Sequence, residues 1–269
     1  MYCPSYPCQQ YGRNYYMGRL IGEVMPHSNV HHLMRCGREM QEYPDYMLAL
    51  LGIQPGMIVA DIGAGVGYNS FRLARLVGPY GRVFATDIQP EMLNQLAMNA
   101  YMFGLSNIVP VLASHFDTNL PPNSCDLILM VDTYHECTNP PAILSGLYRA
   151  LKPNGRLVLV EYRLEDSWMS NIYDDHRMSL FQAKLELESN GFFLLQAIES
   201  LPGLYRALKP NGRLVLVEYR LEDSWMSNIY DDHRMSLFQA KLELESNGFF
   251  LLQAIESLPW QHILIFSKK

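Results

Sequence analysis

The sequence has few cysteines, and their spacing excludes the common cysteine-based frameworks. The 269-residue chain contains five cysteines, an odd number, and none of them forms a C-x-x-C pair. We therefore expect reduced thiols, as in a cytoplasmic protein, rather than a disulfide framework or a metal site. The cysteines are Cys3, Cys8, Cys36, Cys125 and Cys137.

Long apolar runs are also missing. No segment approaches the ~18 consecutive apolar residues that a membrane-spanning helix needs. Residues 1–26 lack the apolar region of a signal peptide. We expect a soluble, cytoplasmic protein without a membrane span.

The chain has no excess of positive charge. Lys and Arg number 21 against 27 Asp and Glu, which gives a formal net charge of −6. Because nucleic-acid binding depends on a basic surface that neutralises phosphates, we expect no nucleic-acid partner. The composition is otherwise that of a globular protein, with 49% hydrophobic residues. A small molecule is therefore the expected partner.

A perfect internal repeat fills much of the second half of the chain. Residues 146–202 recur without a single change as residues 203–259. Because the units of repeat proteins normally diverge, identical copies indicate a tandem duplication, natural or engineered. Without one 57-residue copy the chain would have 212 residues, the size of a single domain.

Apolar runs bounded by turn residues alternate with helical patterns along the chain. This alternation predicts an α/β fold with a mainly parallel sheet. The predicted strands are 57–62, 82–87, 107–112, 125–132, 157–162, 192–198 and 261–266. The predicted helices are 30–51 with a break at Pro44, 68–77, 90–103, 139–152 and 177–189. The second copy repeats a strand, a helix and a strand.

Three segments that follow predicted strands carry glycines or acids. They are the loop from Asp61 to Gly67, then Asp87, then Asp132. Ligands of α/β sheets bind beyond the carboxyl ends of the strands, so these segments are expected in one cleft. The loop glycines allow a tight turn and a close ligand approach, and the next helix offers free N–H groups. Asp87 can accept hydrogen bonds from both ribose hydroxyls.

The spacing of the loop favours one nucleotide-type cofactor over another. A dinucleotide fingerprint G-x-G-x-x-G begun at Gly63 would need its third glycine where Tyr68 stands. The loop instead reads D-x-G-x-G-x-G, with Asp61 two residues before the first glycine. An acid at this place suits the cationic amino group and sulfonium of S-adenosylmethionine (SAM) better than a pyrophosphate. A nicotinamide oxidoreductase is therefore the disfavoured alternative.

With these features the sequence resembles the class I SAM-dependent methyltransferases, over roughly residues 19–269. The most specific stretches are 59–68, 86–93 and 131–136, and residues 258–262 resemble the closing hairpin of one bacterial branch. The resemblance implies a Rossmann-like fold whose mainly parallel sheet ends in a C-terminal antiparallel strand. The duplication would add an extra strand-helix-strand unit.

The resemblance also implies where SAM binds. The loop would hold the methionine part, Asp87 the ribose, and Ile88 would pack on the adenine, whose edge Ala113 and Ser114 would flank. The predicted cofactor-binding residues are Asp61, Gly63, Ala64, Gly65, Gly67, Asp87, Ile88, Ala113, Ser114 and Asp132.

The predicted catalytic residues are Asp132, Tyr134 and His135, at the methyl-transfer end. His135 and Glu136 have two interpretations: a base pair or metal-ligand pair, or a pair that only orients the loop. Because no second histidine follows at the zincin spacing, no metal is expected.

Two histidines and the N-terminal tyrosines leave further alternatives open. His176 and His233 are the same residue in the two copies, and either one faces the substrate or both are surface residues. Tyr11, Tyr15 and Tyr16 form a substrate lid or a packing tail.

The sequence divides into three predicted segments. Residues 1–52 form an N-terminal helical or lid segment, residues 53–202 the SAM-binding core, and residues 203–269 the duplicated unit with the closing strand. The parent sheet has one place for the duplicated strand, so the surplus apolar strand favours an oligomer, such as a segment-swapped homodimer.

The main hypothesis is a SAM-dependent methyltransferase that acts on a small molecule by in-line displacement, with positioning as the main source of rate. The alternative is a catalytically impaired SAM-binding protein whose acceptor side is altered by the duplication.

Overall fold

The computed structural model describes most of the first three quarters of the chain and several segments beyond it. The described residues are 7–10, 13–35, 37–164, 172–197, 213–219, 240–241, 244–245, 249–255 and 261–268. Cys3, Tyr11, Cys36 and His233 lie outside them. The chain divides into two compact units, Met1–Leu194 and Leu195–Lys269.

The first unit is built on a five-stranded parallel sheet. Its strands are β4 (Ile58–Ile62), β5 (Arg82–Asp87), β6 (Ile108–Leu112), β7 (Cys125–Val131) and β8 (Leu151–Val160). Their order is β6-β5-β4-β7-β8, and every neighbouring pair is parallel. The strand order reverses beside β4, so a ligand crevice is expected at its carboxyl end. The predicted α/β fold is confirmed.

Several helices pack against this sheet. The four longest in the described part of the chain are α4 (Ser70–Val77), α5 (Pro90–Met102), α6 (Pro140–Ala150) and α7 (Leu180–Glu188). Proline begins α5 and α6, because the first helical position needs no N–H donor. The Asn139 side chain caps α6 by accepting a hydrogen bond from the N–H of Ala142, which confirms the predicted start of this helix.

The apolar side chains of β7 point alternately to the two faces of the sheet and pack on both. Leu127 and Leu129 pack in the cluster that contains Leu73 of α4, whereas Ile128 and Met130 pack in the cluster that contains Leu144 of α6. Successive side chains of a strand point to opposite faces, so an uninterrupted apolar strand serves two helical layers.

The N-terminal region forms small elements, and the predicted helix over residues 30–51 is divided at more places than its predicted break at Pro44. Strands β1 (Cys8–Gln10), β2 (Arg13–Tyr16) and β3 (Arg19–Leu20) form an antiparallel sheet. Three short helices follow, α1 (Val30–Leu33), α2 (Arg38–Glu42) and α3 (Pro44–Leu50). The predicted break at Pro44 is confirmed, because α2 ends at Glu42 and α3 begins at Pro44. The rest of the predicted helix is divided again at Gly37, which, like Tyr43, adopts a left-handed backbone conformation, with φ of 93° and 48° respectively.

Tyr16 is a packing residue. Its ring is buried in a cluster with Met17 and Ile21, and its hydroxyl accepts a hydrogen bond of 2.8 Å from the Asn190 amide. The sequence predicts that the N-terminal tyrosines form either a substrate lid or a packing tail, and Tyr16 therefore has the packing role.

The second unit contains a three-stranded antiparallel sheet. Its strands are β9 (Arg213–Tyr219), β10 (Phe249–Ile255) and β11 (Gln261–Lys268), in the order β10-β11-β9. The last strand, β11, is antiparallel as predicted, but it belongs to this separate sheet and not to the parallel sheet of the first unit. In the part of the chain that the structure describes, no helix is long and apolar enough to cross a membrane.

The two copies of the repeat differ in their strand pairing. Residues 156–160 pair in parallel with β7, whereas the identical sequence in β9 pairs antiparallel with β11. The predicted strand 192–198 is wrong over residues 192–197, which form no strand, although the same sequence forms β10 in the second copy. In β10 this sequence has β11 as its partner, and strand formation depends on such tertiary partners more than on local preference.

We predict that two leucines of α4 contribute very differently to stability. Leu73 is completely buried, whereas Leu76 is 42% exposed. Leu73→Ala should lower the free energy of unfolding by about 2–5 kcal/mol because it leaves a cavity in the core. Leu76→Ala, the matched control, should change it by about 0.5 kcal/mol or less. Chemical denaturation measures both, and equal losses would contradict this assignment of the core.

Candidate active site

The loop between β4 and α4 depends on glycine at three positions. Gly63, Gly65 and Gly67 have φ of 68°, 53° and 96°. A Cβ on Gly63 would lie 2.5 Å from the side chain of Thr133, and one on Gly67 would lie 2.4 Å from the ring of Phe71. Both the backbone conformation and the close packing therefore require residues without a side chain.

A cavity of about 1090 Å³ lies at the carboxyl end of the parallel sheet. It brings together nine of the ten predicted cofactor residues. These are Asp61, Gly63, Ala64, Gly65, Asp87, Ile88, Ala113, Ser114 and Asp132. Gly67, the tenth, packs against Phe71 and does not line the cavity.

Asp87 fixes the glycine loop and the chain after β5. Its Oδ2 accepts a hydrogen bond of 2.9 Å from the N–H of Gly65, and its Oδ1 accepts one of 2.9 Å from the N–H of Gln89. Burial raises the pKa of Asp87. Each carboxylate oxygen has a second lone pair, so Asp87 can accept further hydrogen bonds from a ligand.

The N-terminal segment from residue 24 to the end of α1 covers one side of the cavity. The side chain of Gln89 donates a hydrogen bond of 2.9 Å to the carbonyl of Met25 and accepts one of 2.7 Å from the N–H of His27. Met25, His31, His32 and other residues of this region line the cavity. The N-terminal segment therefore forms part of the site.

Two more acids of the cavity have strongly perturbed pKa values. Burial raises the pKa of Asp61 to about 6, although the Ser70 hydroxyl donates a hydrogen bond of 2.6 Å to its carboxylate. Burial, and then the negative charge of Glu161, raises the pKa of Asp132 to about 8. Carboxylates held together out of water in this way favour a positively charged ligand.

His135 is held by a carboxylate that the sequence analysis did not identify. Its Nδ1 lies 2.6 Å from Oε2 of Glu161, whose Oε1 accepts a hydrogen bond of 2.8 Å from the N–H of Tyr134. Burial opposes a charged imidazole, but Glu161 outweighs burial and raises the pKa of His135. Glu161 directly follows β8, so the rule that found Asp87 at a strand end could also have found Glu161.

Tyr134 does not reach the cavity. Its buried hydroxyl donates a hydrogen bond of 2.8 Å to Glu186, which also forms an ion pair of 2.7 Å with Arg19. The structure therefore brings His135 and Asp132 to the cavity but commits Tyr134 to the packing of the N-terminal strands against α7.

His176 lies at the cavity beside His135, with a distance of 5.2 Å between the ring centroids. The structure thus places the histidine of the first copy at the site. Glu136 completes this polar side of the cavity, and burial raises its pKa to about 6.

The chain belongs to the methyltransferase domain family, which matches residues 53–191, more than half of its length. It is 31% identical over 144 residues to the ubiquinone/menaquinone biosynthesis C-methyltransferase UbiE of Marinomonas sp. (strain MWYL1), covering 52% of this chain and 56% of that protein. Identity to the protein of the same name from Pseudoalteromonas translucida (strain TAC 125) is 31% over 145 residues, which cover 53% and 58%. The chain spans little more than half the length of these relatives.

A solved structure confirms the Rossmann-like methyltransferase fold. It is the complex between the Haloferax volcanii Trm112 methyltransferase activator and a methyltransferase, with a TM-score of 0.53 and 16% identity. The match covers 90% of this chain and 97% of that chain.

SAM is the methyl donor of this family, and the residues of the cavity fit it. The buried acids suit its cationic end, and the glycine loop leaves room where a side chain would stand. Asn69 lines the cavity, and its buried Oδ1 has no hydrogen-bond partner among the described residues. A polar ligand would satisfy it.

We predict that SAM binds more weakly at acidic pH. Because the pKa of Asp61 is raised to about 6, acid neutralises this carboxylate and removes its attraction for the SAM amino group. Between about pH 7 and pH 5 the Kd should increase, by at most about tenfold per pH unit for one group. Asp61→Asn should bind weakly at neutral pH and show a flatter profile. Calorimetric titration measures both.

The exposed carboxylate of Asp117 provides the control for this prediction. Asp117→Asn should keep the wild-type profile. A wild-type affinity that stays constant over this range would contradict the role given to Asp61.

Proposed function

We propose that the protein transfers a methyl group from SAM to a small-molecule acceptor in this cavity. One observation carries the proposal: the glycine loop and a polar wall, made of His135, Glu136 and His176, line the same cavity. Thr133 packs against Gly63, so the chain that leads to the polar wall starts directly beside the glycine loop.

The cofactor end of the cavity would use residues of four segments. Asp61 and the loop hold the methionine part, Asp87 the ribose, and Ile88 with Ala113 and Ser114 the adenine. In the sequence, Asp132 comes after Ser114 of the cofactor end and before His135 of the polar wall. It lines the cavity together with the residues of both groups. SAM supplies an activated methyl group, so the protein contributes mainly by placing the acceptor in line with it.

The acceptor end is polar and covered. A protonated acceptor must lose its proton as it is methylated, and the polar wall contains groups that bind such an acceptor. The N-terminal segment lies over the same cavity, which favours a small molecule over a macromolecule. The relatives are C-methyltransferases of ubiquinone or menaquinone biosynthesis by name, so a carbon atom of a small molecule is one acceptor class to test.

The residues that line the cavity give no support to the alternative hypothesis of a catalytically impaired SAM-binding protein. Every cavity-lining residue within the described ranges lies at or before His176, whereas the second copy begins at residue 203. The described site is therefore assembled without the second copy.

We predict that His135→Ala keeps SAM binding but loses methyl transfer by about 100-fold or more, because it removes a group at the acceptor. The assay uses methyl-labelled SAM with the low-mass fraction and, separately, the macromolecular fraction of a bacterial extract. Label in the low-mass fraction is the expected result. Label only in macromolecules would contradict the small-molecule acceptor, and SAM binding without any transfer would contradict the enzyme. Tyr148→Phe, an exposed substitution on α6, is the control.

We further propose that the repeat is a tandem duplication and that two chains exchange copies in a homodimer. Among the described residues, β8 pairs only with β7, and β9 pairs only with β11. Both are edge strands with the same apolar sequence, and such open edges favour pairing with another chain.

Deletion of residues 203–259 tests this proposal. The deletion joins Pro202 to Trp260 and so restores the local sequence around Pro259. The full chain should have the mass of a dimer in light scattering, and the deletion variant that of a monomer which still binds SAM. A monomeric full chain would rule the exchange out.

A further inference from the structure

The imidazole of His135, which lines the cavity, has a buried nitrogen without a partner in the part of the chain that the structure describes. His135 is only 3% exposed, and its Nε2 has no hydrogen-bond partner among the described residues. Glu161 holds Nδ1 at 2.6 Å, which favours a proton on Nδ1 and leaves the lone pair on Nε2. Carboxylates hold metal-binding histidines in this way.

Two further donor groups lie around this nitrogen. Oε1 of Glu136 is 3.8 Å from Nε2 of His135, and one donor atom each of His135, Glu136 and His176 lie within 4.8 Å of one another. Asp175 holds Nδ1 of His176 at 2.9 Å, which repeats the carboxylate–histidine arrangement and leaves Nε2 as the donor.

These separations are close to what a metal ion requires. Bonds of about 2.1 Å in tetrahedral geometry place the ligand atoms about 3.4 Å apart, so side-chain movements of about 1 Å or less would close the site. Gly22 keeps the two histidine segments together. A Cβ on Gly22 would lie 2.8 Å from the carbonyl oxygen of Asp175 and 3.0 Å from Cδ2 of His135.

We propose that His135, Glu136 and His176 bind one divalent transition-metal ion of the Zn²⁺ type. Two imidazoles and one carboxylate are a known zinc ligand set, and they leave a fourth coordination position for a further ligand. The role of the ion rests on the proposed methyl transfer. The ion selects a small-molecule acceptor with a hydroxyl or enol oxygen, and it lowers the pKa of that oxygen. The proton leaves to solvent, the acceptor bonds to the methyl carbon, and the methyl–sulfur bond breaks with its electron pair on sulfur.

This proposal departs from the expectation that no metal binds. The sequence contains His135 and Glu136 side by side, but the third ligand follows far along the chain, after β8. No short motif has that spacing, and only the fold brings His176 to the pair.

The repeat provides a matched control for the test. His233 has the same neighbours in sequence as His176. The full-length chain, freed of metal with a chelator, is titrated with Co²⁺ by visible absorption and with Zn²⁺ by calorimetry. The wild type should bind one ion per chain. His176→Ala and Glu136→Gln should weaken binding at least tenfold, and Glu161→Gln by about 10–100-fold through the orientation of His135. His233→Ala should bind like the wild type.

Three results would overturn the proposal: no stoichiometric binding by the wild type, wild-type affinity in His176→Ala, or an equal loss in His233→Ala. SAM titration of each variant keeps this test separate from the proposed function. Variants that bind SAM but not the metal support the metal site with the fold intact. A wild type that binds SAM but no metal refutes this inference alone, whereas failure to bind SAM would refute the proposed function.

Discussion

The site depends on the concentration of carboxyl groups at one end of the sheet. Four neighbouring strands have an acid at or next to their carboxyl ends: Asp61 is the penultimate residue of β4, Asp87 is the last residue of β5, Asp132 follows β7 and Glu161 follows β8. Carboxylates held this closely out of water resist ionisation, as the raised pKa values of Asp61 and Asp132 show. The folded chain therefore carries a built-in preference for cationic ligands, and a sulfonium cofactor meets it.

Residues that contact the cavity-lining side chains and their backbone hold these groups in position. Glu161 orients the ring of His135 and also binds the backbone of Tyr134, so one carboxylate fixes both the ring and the loop that carries it. Gly22 binds the carbonyl of His135 through its N–H at 2.9 Å. The N-terminal segment, which lies before the matched family region, thus completes a site whose cofactor loop belongs to the sheet.

The sequence predicted those features that depend on the spacing of apolar residues and on the turn residues that end strands and helices. Strand β5 has the predicted bounds, and the loop after β4 lies at the cavity because glycine spacing and a strand end are local signals. Side-chain direction after a strand end is not local: Tyr134 turns inward to Glu186, while His135 faces the cavity. The pairing of His176 with His135 could not be predicted, because it depends on how distant segments pack.

Identical strand sequences in two pairings imply that connectivity, not sequence, selects the copy that lies beside β7. Residues 156–160 and their duplicate have the same apolar pattern, so side-chain preference cannot distinguish them. The second copy lies roughly three times as far along the chain from β7, and each doubling of a loop costs about 0.6 kcal/mol in closure entropy. Nearness along the chain therefore favours the first copy by about 1 kcal/mol. Circular permutation or a long insertion after β7 would erode this advantage and make the two copies competitors during folding.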